Sequence, residues 1–217
     1  MPWFYYVCRV IIKILLRILT RCKVTGKENV PQEGSLLVVA NHLHAYDPAV
    51  LGISLGRKVI FMAKEELFHF RLRAYLLSGL GSFPVHRGKL DRQAIRQSEK
   101  VLANGLALAM FPEGSRSEST QLQLALRGSA LIASRSGAPI LPAAIIGTER
   151  LKGLGWISRP RIAVNFGKPF YLPKSGAKVT KEELLENTDF VMQRIAELLP
   201  SEYRGVYGGK KTRRHED

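Results

Sequence analysis

The segment NHLHAYD, residues 41–47, places two histidines and a carboxylate close together, directly after the apolar run LLVVA. An imidazole that donates one ring N–H to a carboxylate is held in one tautomer, and its second nitrogen remains free to act as a base. His42 and Asp47 therefore predict a pair that removes the proton from an alcohol, which then attacks a carbonyl. No activated serine or cysteine stands beside them, so we do not expect an acyl-enzyme.

Two other interpretations of this segment stay open from the residues alone. Asp47 followed by Pro48 is typical of a helix N-cap with proline at the first helical position, although a second carboxylate oxygen remains for the imidazole. The spacing of His42 and His44 resembles the start of a binuclear zinc site, but Tyr46 occupies the place of the expected acid. Because zinc usually needs three well-placed ligands, we expect no metal site and interpret His44 as a neighbour of the pair.

A second polar segment, FPEGSRS, covers residues 111–117 and follows another apolar run. Arg116 offers a fork of donors suited to phosphate, with the Ser115 hydroxyl beside it. Glu113 is a candidate acceptor for a substrate hydroxyl, and Gly114 permits a close backbone approach or a positive φ. The same composition also fits a polar turn with a local Glu–Arg pair.

A third segment, GSFPVHR at residues 81–87, ends in Arg87 just past a short apolar stretch. Two arginines that converge on one crevice bind a phosphate dianion better than one alone. Arg87 and Arg116 together therefore predict a phosphate site, whereas Arg87 alone also fits a solvated surface residue.

Short apolar runs alternate with helical stretches along the rest of the chain. The predicted strands are 36–40, 58–62, 82–85, 106–111, 140–146 and 161–166. The predicted helices are 48–55, 65–77, 91–103, 123–136 and 180–199. This alternation predicts an α/β fold with a largely parallel mixed sheet flanked by helices. The polar clusters follow strands, and ligands collect outside the carboxyl ends of strands in such sheets.

The N-terminal segment predicts a helix that lies on a membrane rather than across it. Arg9, Lys13, Arg17 and Arg21 are spaced by four residues among apolar neighbours, and no acidic residue occurs in residues 1–27. The longest charge-free stretch there is residues 1–8, far below the roughly 18–20 apolar residues of a spanning helix. A basic stripe beside a wide apolar face indicates an amphipathic membrane-interface helix, and packing on the protein's own core is the alternative.

The whole chain has 217 residues, a formal net charge of +15 and a pI of about 10.1, which favours an anionic partner. We expect an N-terminal helical segment at 1–27, a single α/β domain at 28–204 and a polar tail at 205–217. Two cysteines without metal-type spacing are compatible with a reducing compartment. No RNP-like motif or recognition helix is evident, so we expect no nucleic-acid partner. Segment 65–83 fits a packed helix, a second membrane contact or a channel wall equally well.

The polar blocks together resemble those of the glycerolipid acyltransferases. NHLHAYD has their N-H-x-x-x-x-D pattern, FPEGSRS resembles their F-P-E-G-T-R-S block, and GSFPVHR resembles their block that ends in arginine. ILPAAIIG is similar to their fourth block. These four blocks cover about residues 36–147, and the closest resemblance is to the bacterial 1-acyl-sn-glycerol-3-phosphate acyltransferases.

The resemblance implies acyl transfer from acyl-CoA or acyl carrier protein to the sn-2 hydroxyl of lysophosphatidic acid, which gives phosphatidic acid. By that resemblance His42 is the general base and Asp47 orients it, with direct attack in a ternary complex. It also implies that the glycerol phosphate is bound by Arg87, Glu113, Gly114, Ser115 and Arg116. The acyl thioester is a co-substrate, and no further cofactor is implied.

Several points stay open from the sequence. An acyltransferase for another lysolipid, such as a lyso-ornithine lipid, shares the same chemistry. A non-enzymatic basic membrane-binding protein would explain the charge but not the polar clusters. Acyl-chain length, the choice of donor and the oligomeric state are also open. We expect a monotopic protein on the cytoplasmic face of the cell membrane, in contact with anionic lipid.

Overall fold

A computed structural model of the chain describes residues 2–86, 91–173 and 179–209. The fold is α/β, as predicted, and is built on a seven-stranded sheet in the order β1-β7-β6-β2-β5-β3-β4. The strands are β1 (Arg21–Thr25), β2 (Leu36–Ala40), β3 (Val59–Lys64), β4 (Phe83–Val85), β5 (Ala107–Met110), β6 (Ile140–Ile146) and β7 (Arg161–Phe166). All neighbours pair in parallel except β6 and β7, which are antiparallel.

Six α-helices accompany the sheet in the described part of the chain. They are α1 (Pro2–Leu19), α2 (Asp47–Leu55), α3 (Arg71–Gly79), α4 (Arg92–Ala103), α5 (Gly128–Ser136) and α6 (Lys181–Ala196). One face of the sheet packs against α4, α5 and α6, and the other face packs against α2. The central strand β2 is therefore buried on both faces, which explains its unbroken apolar sequence.

The strand register brings two of the predicted polar segments together. In the β2–β5 pair Val39 lies opposite Met110, so both strands end at the same level of the sheet. Residues 41–47 and 111–117 leave from these adjacent carboxyl ends. The NHLHAYD and FPEGSRS segments thus begin side by side.

The predicted helix at 123–136 is wrong in its first turn, because α5 begins at Gly128. The preceding backbone is used to close the polar loop: Gln123 N donates to Glu113 Oε2, and Leu126 N donates to the Pro112 carbonyl. The predicted helix at 65–77 is divided into a 3₁₀ turn, Glu65–Phe68, and α3.

The sheet begins before residue 28, and the core reaches past residue 204. Arg21–Thr25 form the edge strand β1, which pairs with β7 along its whole length. The sequence RCKVT is polar and largely exposed, so it lacks the apolar pattern from which the other strands were predicted. At the other end Tyr207 is buried in the core, and residues 210–217 of the predicted tail lie outside the described residues.

Helix α1 has one face turned to the protein and a second, uncovered apolar face. Tyr5 is buried, Ile12 and Leu16 are half-buried, and Leu16 packs against the core beside α2. The opposite side exposes large apolar side chains to solvent: Trp3, Tyr6, Val7, Val10, Ile11, Ile14, Leu15 and Ile18. Within the described ranges, no helix combines the length and the apolar character needed to cross a membrane.

Candidate active site

His42 and Asp47 form the pair that the sequence predicts. His42 Nδ1 lies 2.8 Å from Asp47 Oδ2, and both side chains are almost completely shielded from solvent. The His42 ring also stacks on Phe111, with 4.1 Å between ring centroids. Because Nδ1 is engaged by the carboxylate, Nε2 is the ring nitrogen left without a hydrogen-bond partner among the described residues. This arrangement suits a base.

Asp47 does not cap its helix, which corrects the alternative interpretation of the Asp47–Pro48 pair. Helix α2 begins at Asp47 itself, and Tyr46 in the preceding position has no side-chain cap bond. Asp47 Oδ2 accepts instead from the backbone N–H groups of Leu43 at 2.6 Å and His44 at 2.7 Å, besides the imidazole. These donors compensate for the complete burial of the carboxylate, whose relative exposure is 0%.

The FPEGSRS loop holds the backbone of His42 on both sides. His42 N donates to Glu113 Oε1 at 2.9 Å, and Ser117 N donates to the His42 carbonyl at 2.8 Å. The second oxygen of Glu113 accepts from Gln123 N at 3.0 Å. Glu113 therefore forms no local pair with Arg116, and its two oxygens bind backbone amides in the wall of the site.

Burial sets the protonation behaviour of Glu113. Burial raises the pKa of this carboxyl from 4.5 to about 7, and the nearby charge of Asp47 acts in the same direction. The two backbone hydrogen bonds lower the pKa but do not offset the effect of burial. Among the residues that the structure describes, no cation pairs with this carboxylate. The loop is thus held by a group that titrates near neutral pH.

The other predicted binding residues differ in placement. Gly114 has a φ of +72°, a left-handed backbone conformation that favours glycine at this turn. Ser115 and Arg116 are exposed, and Arg116 lines the same cavity as His42. Arg87 lies outside the described residues, so its predicted role stays a prediction.

Two residues that position the pair were not predicted from the sequence as functional residues. The buried Asn41 side chain bridges to the next strand, donating to the Ile145 carbonyl at 2.8 Å and accepting from Ile145 N at 2.7 Å. Thr148, also buried, donates its hydroxyl to Asp47 Oδ1 at 2.5 Å. Asn41 was visible as the first letter of NHLHAYD. Thr148 follows β6, and only the strand order brings it to Asp47.

His44 is a neighbour of the pair, as expected. Its ring lies 5.0 Å from that of Tyr46, and its Nδ1 atom is buried without a hydrogen-bond partner among the described residues. Burial lowers the pKa of His44, although the Asp47 carboxylate opposes this shift. Burial thus favours the neutral form of the ring next to the base.

A cavity of about 410 Å³ opens beside His42. This volume is within the range of about 300–1,000 Å³ that is usual for small-molecule sites. Its walls are mostly apolar and come from α1, α2, β3 and α3, including Ile12, Ile53, Phe61, Met62, Leu77 and Leu80. Segment 65–83 thus supplies part of the cavity wall.

Among the described residues, three cationic side chains stand on the wall of this apolar cavity: Arg9, Lys64 and Arg116. Lys64 is paired with Glu66 at 2.8 Å. Arg9 was interpreted from the sequence as part of the outer basic stripe, but it is half-buried and turned to the cavity. The site therefore combines a base, an apolar chamber and cations suited to an anionic headgroup.

Comparison with known proteins agrees with this geometry. A family model described as Acyltransferase matches residues 21–146, which is more than half of the chain. The matched region contains His42, Asp47 and the whole FPEGSRS loop.

Several curated proteins are similar to the chain over most of its length. A 1-acyl-sn-glycerol-3-phosphate acyltransferase of Bacillus subtilis is 31% identical, over 89% of this chain and 96% of that protein. A protein of the same name from Streptococcus pneumoniae is 34% identical, over 83% of this chain and 66% of its own length. The crystal structure of the 1-acyl-sn-glycerophosphate (LPA) acyltransferase of Thermotoga maritima superposes with a TM-score of 0.63 at 27% identity, covering 83% of this chain and 76% of that one.

Proposed function

Because the chain belongs to the acyltransferase family that includes the bacterial 1-acyl-sn-glycerol-3-phosphate acyltransferases, we propose that it acylates lysophosphatidic acid. In this proposal an acyl chain moves from acyl-CoA or acyl carrier protein to the sn-2 hydroxyl of 1-acyl-sn-glycerol 3-phosphate. The product is phosphatidic acid, a precursor in phospholipid biosynthesis. The observation that carries the proposal is a buried His–Asp pair on the wall of an apolar cavity.

The reaction proceeds in one ternary complex. Asp47 holds the Nδ1–H of His42, and Nε2 takes the proton of the sn-2 hydroxyl as its oxygen attacks the thioester carbonyl. Collapse of the tetrahedral intermediate breaks the C–S bond, and the proton on His42 passes to the leaving thiolate. General-base help of this kind contributes about 10²–10⁴-fold to the rate. The thioester is a co-substrate, and the step needs neither a metal nor another cofactor.

Headgroup recognition is assigned to the cationic side of the cavity. Arg116 presents a bidentate donor set, and Arg9 adds a second guanidinium on the cavity wall. Arg87 completes the phosphate site in this proposal, by its place at the end of the GSFPVHR block. Glu113, Gly114 and Ser115 support the site as the loop that carries Arg116. Two or three cations favour an anionic phosphate over the zwitterionic headgroup of a lyso-ornithine lipid.

The lipid substrate implies attachment to a membrane surface. The exposed apolar face of α1 would lie in the outer part of one leaflet, with Lys13 and Arg17 at the level of anionic headgroups. In this proposal the protein lies on the cytoplasmic face of the membrane, from which a water-soluble acyl donor would reach the cavity. It is monotopic in this arrangement.

Thiol release from acyl-CoA by the protein in lipid–detergent micelles tests the reaction. We expect release that depends on lysophosphatidic acid and exceeds release with glycerol 3-phosphate, lyso-ornithine lipid or a lysophospholipid of larger headgroup. His42→Ala should reduce the rate by about 10²–10⁴-fold. His69→Ala, the same substitution at an exposed histidine away from the cavity, serves as the matched control.

The outcomes separate the proposal from its alternatives. Release that persists in His42→Ala would refute the assigned base. Faster release with lyso-ornithine lipid would move the protein to another acceptor. No release with any acceptor, from either acyl-CoA or acyl carrier protein, would leave a membrane-binding protein without this activity.

A further inference from the structure

A second apolar surface lies outside the site, in the loop between β6 and β7. The loop contains a short 3₁₀ helix, Gly155–Ser158. Leu154 is 71% exposed, Ile157 is 61% exposed and Trp156 is 43% exposed. Three large exposed apolar side chains thus lie within four residues, and we call these residues the tip. Clustered exposed apolar side chains mark interaction or membrane surfaces.

The loop is fixed in place next to α1. Arg159 Nη2 donates to the Arg17 carbonyl in the last turn of α1 at 3.0 Å, and the 3₁₀ helix contacts α1. A Cβ at Gly155 would collide with the Arg150 carbonyl at 1.8 Å, so the turn is tightly folded on itself. The exposed side chains are thus carried by an anchored turn that contacts the last part of α1.

The loop around the tip is basic where it is exposed. Lys152 and Arg159 flank the tip, and the acidic residue of the loop, Glu149, is engaged by Arg150 and by the Tyr203 hydroxyl. Helix α1 beside it carries basic residues and no acidic ones. Apolar side chains framed by cations, with tryptophan among them, suit the interface of an anionic bilayer.

We propose that Leu154, Trp156 and Ile157 form a second membrane anchor, which inserts into the same anionic leaflet as α1. The inference rests on the proposed function, since a lipid substrate places the protein at a membrane. Helix α1 presents one defined apolar face, and a second contact on a different element would hold the orientation of the domain more firmly than α1 alone. The loop therefore orients the cavity toward the lipid from which the acceptor arrives.

Fluorescence tests the insertion directly, because the chain contains only two tryptophans. In a Trp3→Phe variant Trp156 is the sole tryptophan. Vesicles of phosphatidylglycerol should shift its emission to shorter wavelength, and lipids brominated on the acyl chain should quench it. Unchanged emission on vesicles that bind the protein would overturn the proposal, and it would do so whether or not the protein transfers acyl chains.

Variants of the tip measure its contribution to binding. Leu154→Asp combined with Ile157→Asp should weaken co-sedimentation with phosphatidylglycerol vesicles by about tenfold or more, with unchanged thiol release in detergent micelles. Leu185→Asp is the matched control, on α6 at the opposite face of the sheet and 47% exposed. Equal affinity of the tip variant and the control would refute the anchor. So would loss of self-association without loss of vesicle binding, because the tip would then bind a second copy.

Discussion

The polar corner at the ends of β2 and β5 and the apolar cavity beneath α1 are built in opposite ways. The corner draws on two short segments, 41–47 and 111–117, whose atoms are fixed by hydrogen bonds of 2.6–3.0 Å. The cavity draws one or a few side chains from each of several elements and is shaped by packing. The corner thus depends on specific hydrogen-bond partners, and the cavity depends on the summed packing of many side chains.

This difference affects how each region should respond to substitution. Hydrogen bonds in a buried network depend on every member, since loss of one partner leaves others unsatisfied. An apolar wall tolerates small changes of volume at modest cost. The corner should therefore fail abruptly, and the cavity should change by degrees.

The largest effect is expected at Asp47. Asp47→Ala removes the acceptor for His42, for the amides of Leu43 and His44, and for the Thr148 hydroxyl, all of them buried or half-buried. We expect the free energy of unfolding to fall by at least about 3 kcal/mol, with no measurable acyl transfer. Chemical unfolding and thiol release measure the two effects separately.

Asp47→Asn distinguishes orientation of the base from support of the loop. The amide keeps one acceptor oxygen and nearly the same volume, so more of the stability should remain. The rate should still fall by about 10²-fold or more, because the charge that favours protonated His42 is lost. An active Asn variant would show that Asp47 serves the loop alone.

The second effect concerns pH and the loop carboxyl. Because the pKa of Glu113 is raised to about 7 in the folded protein, its contribution to stability is complete only below its unfolded value near 4.5 and is lost as the pH rises through 7. Between pH 5 and pH 8 the wild type should lose on the order of 2–3 kcal/mol of unfolding free energy that Glu113→Gln does not lose.

Glu118→Gln is the control for this measurement, since Glu118 lies in the same loop but is exposed. It should follow the pH dependence of the wild type. If Glu113→Gln also shows the wild-type pH dependence, Glu113 is not the group whose titration lowers the stability near neutral pH.

The sequence was most informative where function is local. All six predicted strands occur, because buried parallel strands are short apolar runs between polar turns. The His42–Asp47 contact follows from one segment of seven residues. The placement of residues 41–47 beside 111–117 required only that both follow strands of one parallel sheet.

The remainder depended on contacts between distant segments. Thr148 donates to Asp47, which lies 101 positions earlier in the chain. Nothing in the sequence around Thr148 marks it as part of the site. Glu113 was interpreted as a substrate ligand, whereas its oxygens bind the amides of His42 and Gln123. Strand β1 was missed because an exposed edge strand carries no apolar pattern.

The smallest effect is expected in the cavity wall, at Gly52. Gly52 lies in the interior of α2 and lines the cavity, and a Cβ there would meet Phe61 Cε2 at an ordinary 3.5 Å. Gly52→Ala should raise the free energy of unfolding by about 0.5–1 kcal/mol, because alanine favours the helix. Its methyl group also removes volume from the chamber, so kcat/KM for the longest accepted acyl chain should fall by about tenfold relative to shorter chains.

Gly128→Ala in α5, away from the cavity wall, should leave the chain-length profile unchanged. If Gly52→Ala is more stable but keeps the same profile, the acyl chain does not pass this wall, and the cavity serves the acceptor lipid instead.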